Sequence, residues 1–272
     1  MTERIIEARS GWHDLDWREL WDYRDLFYFL VTRDVKVRYA QSVLGVGWAV
    51  LQPLLQALIF TVIFGNLAKI GSDGIPYMLF SFTAMVPWTY FANGLNDSTS
   101  SLIKSSQMIS KIYFPRITLP IAAILAKLID FSVALLVLSG LLIFYQTSPT
   151  WMLLTLPLLT VLMVMTTIGV GTWFTALSLQ YRDVSYGMQF LVRLLIYTAP
   201  VVYPTSLIPE QYHLLYALNP MVGVIEGFRS ALIGVHPMPW HLVGVGAVTA
   251  TVLFVSGILY FQRVERVFAD VA

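Results

Sequence analysis

The chain has 272 residues, of which 57% are hydrophobic and only 12% charged; the net charge is +1 and the mean hydropathy +0.70. Soluble domains carry about 25% charge, and a globule of this size lacks the interior to hide so much apolar surface, so the composition excludes a soluble enzyme in favour of an all-α integral membrane protein. Disorder, a collagen-like fibre and a nucleic-acid binder are excluded as well, and the absence of cysteine removes disulfides, thiolate metal sites and cysteine nucleophiles.

In chain order, residues 1–41 form a tail and a helix expected to lie at the interface. From Trp17 to Gln41, Leu20, Trp21, Tyr23, Leu26, Phe27, Phe29 and Leu30 alternate with charges on nearly every turn. That pattern fits a helix in the headgroup plane, or else one packed on a cytosolic domain. Residues 42–272 read as a six-span transmembrane domain. Charge-free runs of 29 residues (Ala40 to Ala68) and 23 residues (Gly74 to Asn96) each suit one crossing. The 51-residue run from Phe131 to Tyr181 is too long for one and splits at the polar turn Gln146-Thr147-Ser148-Pro149-Thr150. The spans are placed at about residues 42–69, 76–101, 117–145, 151–179, 187–202 and 240–262. Residues 203–239 carry Pro204, Pro209, Pro220, Pro237 and Pro239 with apolar stretches between them. This segment is too broken to span and too apolar for a solvated loop, so re-entrant outer helices are expected. No internal repeat supports inverted halves.

Six spans put both termini on one side. Thirteen lysines and arginines fall on that side, against Lys69 and Arg229 on the other, which predicts cytoplasmic termini. Within the spans, Lys127 and Asp130 sit three apart and are expected to pair on one helix face. Asp97, in a hydroxyl-rich stretch with Asn93 nearby, suits a water-accessible cavity or the approach to the cytosolic surface. Arg193 could snorkel to lipid phosphates or bind an anionic headgroup. Glu226 and Arg229 are expected to form an ion pair in the re-entrant segment. Gln52 and Gln56 flank Pro53 and present amides along one face, to a neighbouring helix or a polar pore. Trp48, Trp88, Tyr90, Phe91, Trp173, Phe174, Tyr197 and Tyr203 fit an interfacial belt, or a sugar path in which rings stack on pyranose faces. P-loop, HExxH and G-x-S-x-G motifs are missing, and His13, His213, His236 and His241 lack metal-ligand spacing. No catalytic residues and no metal site are therefore expected.

Several motifs in order resemble the membrane subunits of polysaccharide-exporting ABC transporters, the family that exports O-antigen, teichoic acid and capsule. They are YFLVTRDVKVRYAQSVLGVGW from Tyr28, LIKSSQMISKIYFPRITLP from Leu102, YRDV from Tyr181, APVVYP from Ala199, LNPM from Leu218, IEGFR from Ile225 and the tail VERVFADVA. The resemblance covers roughly residues 23–272, and the Phe114–Arg116 and Arg-Asp-Val elements look most like the O-antigen and teichoic acid branch. It implies a homodimer with two copies of a separate ATPase that holds ATP and magnesium, no cofactor on this chain, and a cargo of glycan on an undecaprenyl-pyrophosphate-type lipid at the bacterial inner membrane. Loop 102–116 would be the coupling segment: Lys104, Lys111 and Arg116 meet acidic groups of the ATPase, while Ile109, Ile112, Tyr113 and Phe114 fill an apolar groove, with Ser105 and Met108 on the same short helix. The pyrophosphate would arrive near Arg33, Lys36 and Arg38, with Arg193 as a further cation. Trp48, Gln52, Gln56, Trp88, Tyr90, Asn93, Asp97, Tyr197 and Tyr203 are the expected substrate path, and Glu226 and Arg229 belong to the outer gate. The rival readings are an exporter of a small lipid or drug with the same fold, a membrane-embedded transferase relying on Asp97 and Asp183, and a purely structural membrane subunit.

Overall fold

The computed structural model of the chain describes residues 23–40, 45, 47–111, 113–181 and 183–269, with side chains as far as Glu265. Residues 1–22, the start of the first expected span, Ile112 and Arg182 lie outside the described residues. Every regular element among the described residues is helical. The helices are α1 (Arg24–Tyr39), α2 (Gly47–Phe60), α3 (Tyr77–Lys104), α4 (Ser106–Ile109), α5 (Thr118–Phe144), α6 (Leu156–Gln180), α7 (Asp183–Leu195), α8 (His213–Tyr216), α9 (Pro220–Leu232) and α10 (Trp240–Ala269).

Among the described residues, four helical stretches are long and apolar enough to cross a membrane: Gly47–Leu67, Thr118–Phe144, Trp151–Gln180 and Trp240–Glu265. The first combines α2 with a wider-wound turn, Thr61–Leu67, in which Ala68 N–H reaches back five residues to Ile63 O. The second and fifth expected spans do not meet the same test. At 28 residues α3 is about 42 Å long. It is less apolar, because Asn93, Asn96, Asp97 and a run of Ser and Thr occupy its second half. Helix α7, with 13 residues, rises only about 20 Å before a tight turn at Ile196–Thr198. The last helix outruns its expected end at 262 and continues to Ala269.

Helix α3 is the hub, packing on α5, α6, α9 and α2, while α6 pairs with α10. The Ser/Thr stretch of α3 turns out to be helix–helix glue. Thr175 Oγ1 donates to Ser98 O at 3.0 Å and Ser178 Oγ to Thr99 O at 2.9 Å, so α6 hydroxyls bond α3 carbonyls.

The expected re-entrant segment divides in two: Leu207, Tyr212, Leu214, Leu215 and Leu218 are exposed, whereas α9 is enclosed. In α9 every residue except Glu226 is buried, between α10, α6 and α3. Asn219 caps it, its side chain accepting from Met221 N at 3.1 Å, and Pro220 follows where no N–H is needed, which accounts locally for the Leu-Asn-Pro-Met run. The helix ends at Gly234, whose φ of +75° needs glycine and whose missing Cβ leaves room for Thr150. Thr150 in turn donates its N–H to Ala231 O, so the polar turn at 146–150 closes over the end of α9. The apolar character of α9 therefore reflects burial in protein, while the apolar side chains of 207–218 remain exposed.

Candidate functional site

The charges that the sequence scatters along three helices meet at one place. Arg38 ends α1, Asp97 and Lys104 lie in the last turns of α3, and Lys127 and Asp130 sit mid-way along α5. Arg38 Nη2 donates to Asp97 Oδ2 at 2.6 Å and its Nη1 to Asp130. Lys127 donates to Asp97, and Lys104 approaches the other Asp97 oxygen at 3.4 Å. Tyr39 donates its hydroxyl to Asp130. Burial and that bond push the Tyr39 phenol up to about 12, so it stays a neutral donor at physiological pH.

The expected Lys127–Asp130 pair along α5 is thus a correction: each binds a partner on another helix. Lys127 is only 5% exposed, and a buried ammonium needs its counter-charge at bonding distance, which Asp97 supplies across the helix interface. The network joins α1 to the bundle, helped by Leu30, which is fully buried. Three cations face two carboxylates, leaving one net positive charge.

Two cavities share the network. The larger, about 400 Å³, is bordered by Arg33, Arg38, Asp97, Lys104, Ser105 and Lys127, among others. The smaller, about 270 Å³, runs from Arg38, Lys127 and Asp130 to Trp48, Gln52, Tyr90 and Asn93. Of the expected path, Trp48, Gln52, Tyr90 and Asn93 therefore come together, and Asp97 borders the adjoining cavity. The remainder do not join them. Trp88 is buried against Phe91, and Gln56 lies one turn beyond Gln52 outside the cavity. Tyr203 donates to Tyr197 O at 2.9 Å and accepts from Tyr216 at 3.1 Å, in the segment after α7. Trp88, Tyr90 and Phe91 are core residues and cannot serve in an interfacial belt, and Trp173 stacks on Tyr260 with ring centroids 4.1 Å apart. Lys36 is exposed on α1, and Arg193 is exposed on α7 away from both cavities.

The segment after α3 is built differently from expectation. Helix α4 is a single turn, and Met108 and Ile109 lean half-buried on a cluster that includes Leu102, Phe114, Ile117 and Phe261. Phe114 is 4% exposed, so it packs inside its own chain and is not free to fill a partner's groove. The chain turns there, with Pro115 O accepting from Thr118 N–H at 3.1 Å as α5 begins, and the ring packs with Leu102, Ile117 and Phe261. The N–H of Arg116 donates to Glu265 at 3.1 Å, tying the segment to α10, and Arg33 approaches the Met108 sulfur at 3.9 Å. Lys104, Lys111 and Tyr113 remain on the surface, Ser105 is buried, and Ile112 is outside the described residues.

At the far end of the bundle the expected Glu226–Arg229 pair is present at 2.8 Å. Thr205 also donates to Glu226 at 2.8 Å. Asp73 accepts from Ser206 at 2.9 Å and lies 3.2 Å from His236, so three connecting segments meet there. Asp73, His236, Tyr39 and Thr205 carried no sequence signal, because each acquires its role from a partner more than 20 positions away in the chain.

A neutral amide in place of a network carboxylate tests the network directly. Asp97→Asn is expected to lower stability by roughly 3 kcal/mol, since it leaves buried Lys127 without its carboxylate. Thermal unfolding in detergent checks this, and an unchanged midpoint would contradict the ion-pair role.

Residues 25–233 match the family described as ABC-2 type transporter. The O-antigen export system permease protein RfbA of Klebsiella pneumoniae is 29% identical over 250 residues, covering 91% of this chain and 95% of that protein. RfbA of Myxococcus xanthus is 28% identical over 253 residues, covering 92% and 96%. The polysialic acid transport protein KpsM of Escherichia coli is 24% identical over 238 residues, covering 87% and 92%. With the family match spanning most of its length and four apolar helices in its fold, this multi-pass membrane chain belongs to the ABC-2 type transporter family.

Proposed function

We propose that this chain is the transmembrane subunit of an ATP-driven exporter that moves a lipid-linked polysaccharide, O-antigen-like in kind, across the bacterial inner membrane. The observation that carries the reading is similarity along nearly the whole length of permeases named for O-antigen and polysialic acid export. The working unit is a homodimer with two ATPase subunits, which hold ATP and magnesium; this chain binds no cofactor and is not itself an enzyme. Both termini face the cytoplasm, in keeping with the lysine and arginine bias. Six crossings result if α3 and the α7 region span along with the four apolar stretches, and segment 203–239 is the re-entrant outer gate, held by Glu226 and Arg229.

On this reading the cavities around Arg38 face the cytoplasmic half. The carrier is an undecaprenyl-pyrophosphate-type lipid whose phosphates meet Arg33 and Arg38, with Lys36 and Arg193 exposed as outlying cations. Phosphate oxygens compete there with Asp97 and Asp130 for the same donors, which loosens the hold of α1 on the bundle. ATP binding moves the surface of segment 104–116, and Phe114 and the Arg116–Glu265 bond pass that motion to α3, α5 and α10. Such coupling requires that the open and closed arrangements differ in affinity for ATP.

Co-expression with ATPases from the same genome tests the assignment. The expected result is a two-plus-two complex whose hydrolysis rises with lipid-linked glycan; no ATPase partner, or hydrolysis indifferent to glycan, would overturn it. Lys111→Glu with Tyr113→Ala alters only surface side chains of the coupling segment. It is expected to leave the fold intact and to reduce export by about tenfold or more, as loss of one to two charge-assisted contacts implies. Normal export by that variant would remove the coupling assignment.

A further inference from the structure

The smaller cavity has two chemically different ends. One end carries Arg38 and Lys127 with their carboxylate partners. The other has the amides of Gln52 and Asn93, the phenol of Tyr90 and the indole of Trp48, which is 53% exposed. Tyr90 is only 3% exposed, yet its fully buried hydroxyl has no hydrogen-bond partner among the described residues. Buried hydroxyls are nearly always satisfied, so an orphan one lining a cavity points to a missing ligand.

Polar groups at this end argue against a lipid acyl chain, which would leave the amides and the phenol unpaired. They suit a hydroxyl-rich ring, and Trp48 adds a face for its apolar C–H surface. The volume, about 270 Å³, lies just under the range of roughly 300–1,000 Å³ usual for drug-sized ligands, so it holds one ring and not an oligosaccharide. At the charged end the lining cations Arg38 and Lys127 outnumber the one lining carboxylate, Asp130, while Asp97 binds both cations from the adjoining cavity, so the site presents charge-assisted donors to a phosphate oxygen.

We infer that this cavity is a glycosyl-phosphate site, in which Arg38 and Lys127 hold the phosphate and Gln52, Asn93 and Tyr90 hold the hydroxyls of the sugar attached to it. The inference rests on the proposed export function and narrows it. The chain reads the first sugar of its cargo together with the phosphate bonded directly to that sugar in the carrier's pyrophosphate, within a single subunit. The same chemistry is offered by a free sugar 1-phosphate and by a polyprenyl-linked one.

The test is equilibrium binding to the full chain, with its ATPase where one is found, in nanodiscs of zwitterionic lipid. Probes are glucose, galactose and N-acetylglucosamine 1-phosphates, the same sugars on a short polyprenyl pyrophosphate, the free sugars and inorganic phosphate. At least one sugar phosphate is expected to bind about tenfold more tightly than inorganic phosphate. Tyr90→Phe, which deletes only the unpartnered hydroxyl, is expected to weaken sugar-phosphate binding roughly fivefold, with phosphate binding unchanged and the thermal midpoint of the empty protein not lowered. Asn93→Leu acts on the same arm. Binding of the polyprenyl probes alone, still weakened by both variants, assigns the site to the lipid-linked source; binding of the free probes too makes the lipid dispensable. Equal binding of phosphate and sugar phosphate, no binding of any probe, or wild-type binding by both variants overturns the site. A complex that fails these tests but still exports glycan loses the pocket and keeps the function, whereas a chain without glycan-dependent ATPase activity loses the function whatever the pocket binds.

Discussion

Replacing Arg229 with alanine is expected to destabilise the folded chain by about 3–5 kcal/mol, enough to abolish most of its accumulation. Arg229 is 4% exposed in the last turn of α9. It donates to Glu226 at 2.8 Å, to Val201 O at 3.3 Å and to Phe80 O at 3.4 Å, and its Cζ stands 3.5 Å over the Phe80 ring. Truncation strands a carboxylate that is itself only 15% exposed and frees two carbonyls away from water. The pair, and not either charge, is the stabilising unit. The double variant Glu226→Gln with Arg229→Met should therefore recover part of the loss. Thermal unfolding of the purified chain in detergent separates the two cases. A single variant as stable as the parent, or a double variant no better than the single, would refute the ion-pair account of this end of the bundle.

A comparable effect is expected from valine at Gly169 or Gly257. The α6–α10 pair closes on these two residues. A Cβ at Gly169 would lie 2.5 Å from the backbone nitrogen of Phe254, and one at Gly257 would lie 2.2 Å from the carbonyl oxygen of Gly169. Both obstacles are backbone, so neither can rotate aside. In a membrane the contact between helices rests on close packing, because lipid tails are as apolar as leucine and supply no hydrophobic drive. Forcing these helices apart is expected to cost about 3 kcal/mol or more and to loosen the Trp173–Tyr260 stack and the 3.1 Å bond from Trp173 to Ser256. Gly140 provides the control. Nothing lies within 4 Å of its absent Cβ, so Gly140→Ala should be neutral or stabilising by about 0.5–1 kcal/mol. Near-equal midpoints for Gly169→Val and Gly140→Ala would contradict the close-packing argument.

Much of the coarse organisation was legible in the residues. Long uncharged runs mark the apolar helices, because a helix in lipid satisfies its own backbone and asks only for length and apolarity. The Gln146–Thr150 turn was found for the same reason, as the one polar break in a run too long to be a single crossing. The Glu226–Arg229 pair was readable because both partners sit one turn apart on one helix. The identical spacing misled at Lys127 and Asp130, where competing charges on α1 and α3 won. Local spacing shows which groups can meet, and tertiary packing decides which do.

By themselves, then, the composition, the uncharged runs and the order of the motifs determined that this is a helical membrane protein resembling polysaccharide-exporter permeases. These are properties of short stretches and of the chain's average polarity. Only the tertiary structure decided that Phe114 turns inward, that α9 is enclosed by protein, that Gly169 and Gly257 are where two helices touch, and that Arg38, Asp97, Lys127 and Asp130 form one network beside a cavity with an unpartnered Tyr90 hydroxyl. Each of those depends on groups distant in sequence that become neighbours through helix packing, where the cost of an unpaired buried charge or a blocked backbone contact selects the arrangement.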